Sequence, residues 1–309
     1  MYFLIFIFSF LLTIFFVLAL EKIAIKYRFY DEPGENVLKI HKKPISYLGG
    51  LAIFSVFLIL FSIFLFLSNS FKVGVGIILA SFFPFAIGFW DDFQWKRAGV
   101  SPWEKLLFLV FFSLISAIAL VNNGIKIEFL PGIFWSFIFT FFYILGSINA
   151  INFEDGIDGL AGGLVAISLV GFIFLSIISG NNFAQMISLI TLGAVLGFLI
   201  LNFPPAKIFM GDSGAYFLGF ILAILAVIFA KPHNITSILG PLFIIGLPIF
   251  DTGFAITRRL ISRKSPFIGD RGHFYDKIRE RGFGLKKTIL FAYFFQLIFV
   301  CFGVLIYSF

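Results

Sequence analysis

The sequence predicts an all-α integral membrane protein, with about ten transmembrane helices and a polar site gathered at one face of the membrane. Three observations carry that prediction. The 309 residues are 60% hydrophobic and only 13% charged, with a mean hydropathy of +1.06, whereas a soluble domain is roughly a quarter charged. Ten apolar segments are long enough to cross a hydrocarbon core about 30 Å thick. The charged residues fall on alternate connections instead of being spread evenly.

The segments run approximately 2–20, 48–67, 73–90, 105–121, 133–148, 162–179, 183–201, 215–230, 237–257 and 288–308. Helices are expected throughout, because backbone groups cannot be left unpaired in lipid. Residues 2–20 lack a basic leading region and a small-residue cleavage site, so a retained first helix is expected and not a signal peptide. No internal repeat is visible, and residues 1–309 read as a single polytopic membrane domain. The lone Cys301 excludes a disulfide framework and a thiolate metal site.

Charge sets the orientation. Of the 23 Lys and Arg, all but Lys72, Lys126 and Lys231 fall in loops 21–47, 91–104, 202–214 and 258–287, or at Lys105 at a helix mouth. The positive-inside rule makes those loops, and loop 149–161 between them, cytoplasmic, with both termini on the far side. Among the acids only Glu128 belongs to the outer side. Acids contribute little to topology, so their bias points to function at the cytoplasmic face. The net charge of +7 is accounted for by these loops and gives no ground for nucleic-acid binding.

The polar segments follow in order. His41-Lys42-Lys43-Pro44 with Gly49-Gly50 suggests a fixed turn and close backbone approach, though a basic flank held by lipid headgroups reads the same way. Asp91 and Asp92 end the third segment, where the helix dipole disfavours negative charge; such a pair suits metal or proton work. The stretch Asn149-Ala-Ile-Asn152-Phe-Glu-Asp155-Gly-Ile-Asp158-Gly carries two amides and two carboxylates at three-residue spacing. Adjacent pairs share a helix face, and all four do only if the segment tightens toward a 3₁₀ turn. Asp212, between two glycines, suits either a helix cap or a hard cation. Asp251 lies inside the ninth segment, where it needs a cavity or a partner, and Pro248 is placed to bend the helix beside it. The last loop, 258–287, is the most basic and suits a polyanion such as a nucleotide diphosphate; its His273 carries little weight alone.

No Ser-His-Asp order, Walker loop or Rossmann glycine pattern is present. Acids with Mg²⁺ beside a basic loop suit phosphoryl chemistry. The alternative is an ion- or proton-coupled transporter, whose acids usually sit near the midplane on broken helices of repeated halves. Here only Asp251 lies inside a segment.

Several motifs in register resemble the polyprenyl-phosphate N-acetylhexosamine-1-phosphate transferases. They are Asn149-x-x-Asn152-x-x-Asp155-Gly-Ile-Asp158-Gly-Leu, Asn202-Phe-x-Pro-Ala-Lys207-Ile-Phe-Met-Gly-Asp212-Ser-Gly and Pro248-Ile-Phe-Asp251-Thr. His41-x-Lys43-Pro44 and Asp91-Asp92 are similar to further motifs of that family, and the resemblance runs along nearly the whole chain. It implies transfer of a sugar-1-phosphate from a UDP-N-acetyl sugar to polyprenyl (undecaprenyl) phosphate, releasing UMP, at the cytoplasmic face of the inner (plasma) membrane. It implies Mg²⁺, or Mn²⁺ in its place, with Asp212 and Asp158 as metal residues. Asp91 and Asp92 would act at the lipid phosphate, Asp91 as base. Lys43, Asn149, Asn152, Asp155, Asp251 and His273 would line the nucleotide and substrate site. Single displacement fits, a covalent aspartyl-phosphate route stays open, and so does a homodimer. Two departures stand out: Trp95 occupies the place of a usual third acid, and Tyr275-Asp276 follows His273 where the family has further histidines.

Overall fold

The computed structural model describes residues 2–27, 29–31, 44–68, 70–95, 101–127, 132–231, 234–263 and 272–309. The described residues are overwhelmingly helical. In order they form α1 (Tyr2–Tyr27), a two-stranded antiparallel ribbon of β1 (Tyr30–Asp31) and β2 (Ile45–Ser46), α2 (Gly49–Leu67), α3 (Phe71–Trp90) with a π-helical turn Asp91–Trp95, and α4 (Pro102–Asn122). Then come α5 (Ile133–Glu154), α6 (Leu160–Ser179), α7 (Asn182–Asn202), α8 (Gly211–Phe229), α9 (Ile235–Ile244), α10 (Gly246–Ile261), α11 (Phe274–Glu280) and α12 (Leu285–Ser308). Nine of these helices are long and apolar enough to span a membrane, and the pair α9–α10 makes up to ten. The protein is a multi-pass membrane protein.

The bundle is built around α8. Every residue of this helix except Asp212 and Ile228 is buried, as expected of a helix apolar on all sides. It packs against α2, α3, α5, α6 and α9. The abundance of Phe divides between two uses. Phe57, Phe61, Phe172, Phe198, Phe217 and Phe220 fill the core, while Phe3, Phe8 and Phe15 of α1 face outward, where lipid accepts them. At the polar end α8 is approached by glycines. Gly50 N donates to Met210 O at 2.8 Å, and Cβ atoms on Gly50 or Gly88 would meet the backbone of Gly214 or Asp212. Small residues are what allow backbones this close.

Three expectations change. The apolar run 133–148 continues as helix to Glu154, so Asn149 and Asn152 lie on the last turns of α5, and only 155–159 form the turn into α6. All four residues therefore do not share a tightened helix. The third segment ends in the π turn, which carries Asp91 and Asp92 onward past its apolar part. The ninth segment, expected as a span over 237–257, is two helices bent by 86° between Ile244 and Gly246. Pro248 falls in the first turn of α10, where its missing N–H costs α10 itself no bond but leaves the Ile244 carbonyl before the bend without a backbone donor four residues on. Beyond the bend α10 is amphipathic: Asp251, Thr252, Ala255 and Arg259 are buried on one face, and Phe250, Phe254 and Ile261 are exposed on the other.

Candidate active site

The site begins with how α8 is anchored. Its own N-terminus has no side-chain cap. Asp92 supplies one from the π turn: Oδ1 accepts from Asp212 N at 2.9 Å and Oδ2 from Ser213 N at 3.0 Å. A carboxylate at a helix N-terminus satisfies orphan amides and complements the dipole. Asp212, which the sequence leaves between capping and cation binding, is thus capped and not capping. Its Oδ1 accepts from Asn152 Nδ2 at 3.0 Å.

Asp91 is completely buried. Its Oδ2 lies 2.5 Å from Lys105 Nζ, and the same ammonium is 3.8 Å from Asp212 Oδ2. Lys105 therefore sits between two carboxylates, but its charge only partly offsets the cost of burying Asp91: burial first, and then the Asp212 carboxylate, push the Asp91 carboxyl up to about 8. Asp91 Oδ1 is buried with no hydrogen-bond partner. Lys105 enters from the first turn of α4, which Ser101 and Glu104 close as a capping box.

Above Asp212 opens a cavity of about 1510 Å³. Asp155, Asp158 and Asp212 line it with Glu21, Asp31 and the loop from Pro204 to Gly211, and so do five cations, Lys207, Arg279, Arg281, Lys286 and Lys287. Asp158 Oδ2 accepts from Ala206 N at 3.1 Å. Asn202 joins the two loops, accepting from Gly159 N at 2.9 Å and donating to Ile208 O at 2.8 Å.

Behind the cavity, buried and not lining it, is a second group. Asp251 Oδ2 lies 2.7 Å from His273 Nδ1, and its Oδ1 accepts from Phe274 N at 2.8 Å. With Nδ1–H donating, Nε2 turns to Arg259 Nη2 at 3.5 Å. The imidazole stacks on Tyr275 and faces Phe153. Burial, with carboxylates nearby, pushes the Tyr275 phenol well above its ordinary pKa, so it stays a donor, toward Phe153 O at 3.5 Å. Buried Glu154 faces Asp251 and Asp276.

The expected site residues thus divide. Asp91, Asp92, Asn152 and Asp212 meet at the N-terminus of α8; Asp155 and Asp158 share a cavity with Asp212; Asp251 and His273 pair with each other. Asn149 turns its amide back to Leu145 O at 2.7 Å. Lys43 lies outside the described residues. Sequence reasoning placed Lys105 only as a topological cation and gave no part to Arg259 or Glu154, because long-range pairing leaves no mark in local spacing.

The chain matches the glycosyl transferase family 4 profile over residues 74–230. It is 34% identical over 306 residues, 95% of its own length and 82% of the other's, to a Bacillus subtilis (strain 168) protein named "Probable undecaprenyl-phosphate N-acetylglucosaminyl 1-phosphate transferase". The chain belongs to glycosyl transferase family 4. Shorter matches reach two proteins named phospho-N-acetylmuramoyl-pentapeptide-transferase. The one from Limosilactobacillus fermentum is 36% identical over 46% of each chain. The one from Desulforamulus reducens is 33% identical over 58% of this chain and 59% of its own. This family-4 protein is an enzyme, a membrane phosphotransferase, and the transporter alternative falls away. The matched region holds the Asp91–Lys105–Asp212 group and both acids of the 155–158 turn, while α10 and His273 lie beyond it.

The residues fit a Mg²⁺ ion. Magnesium is commonly held by one or two carboxylates, with substrate phosphates and water completing its shell. Asp212 and Asp158 present hard oxygens to one cavity. Among the described residues no three His, Cys, Asp or Glu side chains form a cage, so a cation there would draw further ligands from substrate.

Proposed function

We propose that this family-4 enzyme transfers an N-acetylhexosamine-1-phosphate from a UDP-sugar to polyprenyl (undecaprenyl) phosphate, releasing UMP, at the cytoplasmic face of the plasma membrane. The observation that carries the reading is the Asp91–Lys105–Asp212 group, whose Asp212 lines a cavity shared with Asp155, Asp158 and five cations. Cations gather a diphosphate, and buried carboxylates beside them serve phosphoryl transfer, in which positioning and charge stabilisation do most of the work. In this reading an oxygen of the lipid phosphate bonds to the β-phosphorus of the donor. The bond from that phosphorus to the bridging oxygen breaks, and UMP leaves with that oxygen.

Asp91 would take a proton from the incoming lipid phosphate: burial and the Asp212 carboxylate raise its affinity for a proton, its Oδ1 has no hydrogen-bond partner, and Lys105 holds the side chain in place. Asp212 and Asp158 would hold Mg²⁺, which would neutralise diphosphate charge. Asn152 orients Asp212. Asp155 and the cations Arg279, Arg281, Lys286 and Lys287 line the donor pocket. Asp92 acts by fixing the N-terminus of α8, and the Asp251–His273 pair by fixing the start of α11, which carries Arg279.

The test is purified protein in detergent with Mg²⁺, undecaprenyl phosphate and a panel of radiolabelled UDP-N-acetyl sugars. Lipid-linked label with UMP release, abolished by EDTA and by Asp91→Asn, is the expected result. Silence across the panel together with silence in an exchange assay with added UMP would overturn the reading.

A further inference from the structure

Two polar side chains on the last helix tie separate parts of the site together. Tyr293 and Gln296 lie about one turn apart on α12 and so point the same way. Tyr293 Oη donates to Gly159 O at 2.6 Å, at the exit of the Asp155–Asp158 turn. Gln296, fully buried, sits at the break between α9 and α10. Pro248 has no N–H with which to reach the Ile244 carbonyl four residues back. Gln296 Nε2 donates to that carbonyl at 2.7 Å, and its Oε1 accepts from Leu247 N at 3.0 Å. Nε2 also donates to Ser168 Oγ on α6 at 2.8 Å. One side-chain amide thus takes both roles that the missing helical peptide bonds would have filled, in a region where lipid offers no substitute.

We infer that Gln296 is a positioning residue for the transfer reaction. By bonding Ile244 O, Leu247 N–H and Ser168 at once, it holds the 86° bend that brings Asp251 to His273, and so sets where α11 presents Arg279 to the cavity. A polar side chain inside a span is costly unless its bonds are used, and here two of the three go to the break itself. The inference rests on the transferase reading for its kinetic consequence, but its geometric consequence stands apart from it.

The test uses the full chain with Cys301→Ser. Gln296→Leu should lower kcat/KM for the donor about tenfold. In an Asp251→Asn background the same change should cost less than twofold more, because effects carried through one residue are not multiplicative. Spin labels at exposed Thr257 on α10 and Leu290 on α12 should give a narrow distance distribution in the native chain and a broadened or shifted one in Gln296→Leu. That measurement needs no substrate, so it discriminates even if every sugar fails. Native turnover with native distances, or a fully multiplicative loss in the double variant, overturns the proposal. If Gln296→Leu does not fold, Gln296→Met is read in the same way. Failure of both to fold would make Gln296 purely architectural and also overturn it.

Discussion

Asp91 and Asp92 are neighbours in sequence with different duties. Asp92 gives both oxygens to amides of α8, and each buried donor left without an acceptor costs about 1–3 kcal/mol. Asp92→Ala should therefore lower the melting temperature in detergent clearly, whereas Asp91→Asn should abolish turnover with a much smaller thermal shift. Equal shifts would refute this division. Lys105→Met removes the ammonium between Asp91 and Asp212. Loss of a preorganised charge of this kind is worth roughly 10²-fold in rate, so kcat should fall by about that factor; a change under threefold would remove Lys105 from the chemistry. Asp212→Ala should end Mg²⁺-dependent turnover in a folded protein, and retained activity would sink its metal role. The paired acids and Asp212 were legible in sequence because charge at apolar boundaries is expensive and conspicuous. Lys105 was not, since a cation in a positive-inside loop already has a reason to be there. Nor was the Asp92 cap: residues 92 and 212 meet only because α3 packs on α8.

At the level of elements, the spans were readable from hydropathy almost to their ends, and the errors came where polar residues continue a helix. α5 runs on through Asn149 and Asn152 to Glu154 because helical bonding continues even after the apolar run stops. Pro248 announced a bend, but neither its 86° size nor its position before Gly246 could be read, since the amide that bridges the break belongs to Gln296, 52 residues beyond Ile244. The close approach of α2 to α8 yields a prediction of its own. A Cβ on Gly50 would lie 2.5 Å from Gly214 Cα, and backbone there cannot yield as a flexible side chain can. Gly50→Ala should cost about 1–3 kcal/mol and reduce turnover, while Gly253→Ala, with open space around it, should change neither. Equal behaviour of the two variants in a thermal melt would contradict the tight crossing.

For the whole molecule, the proposed cytoplasmic opening of the cavity can be tested by labelling. With Cys301→Ser, a cysteine at Arg281 should react with a membrane-impermeant maleimide only after cells are opened, and one at Lys126 should react in intact cells. The reverse pattern would invert the topology. Family-level chemistry was legible because its motifs are long and fall in order; the second group around His273 was not, since it forms only once α10 turns.

The burial of α8 has a last consequence. From Phe217 to Phe229 this central post carries no ionisable side chain, and aromatic rings close around it. Along this helix, then, no polar path leads from the pocket toward the other side. A membrane that stores energy as an ion gradient can hold such an enzyme without being short-circuited by it. Vesicles containing the protein should keep an imposed pH difference as long as empty ones do, with or without substrates.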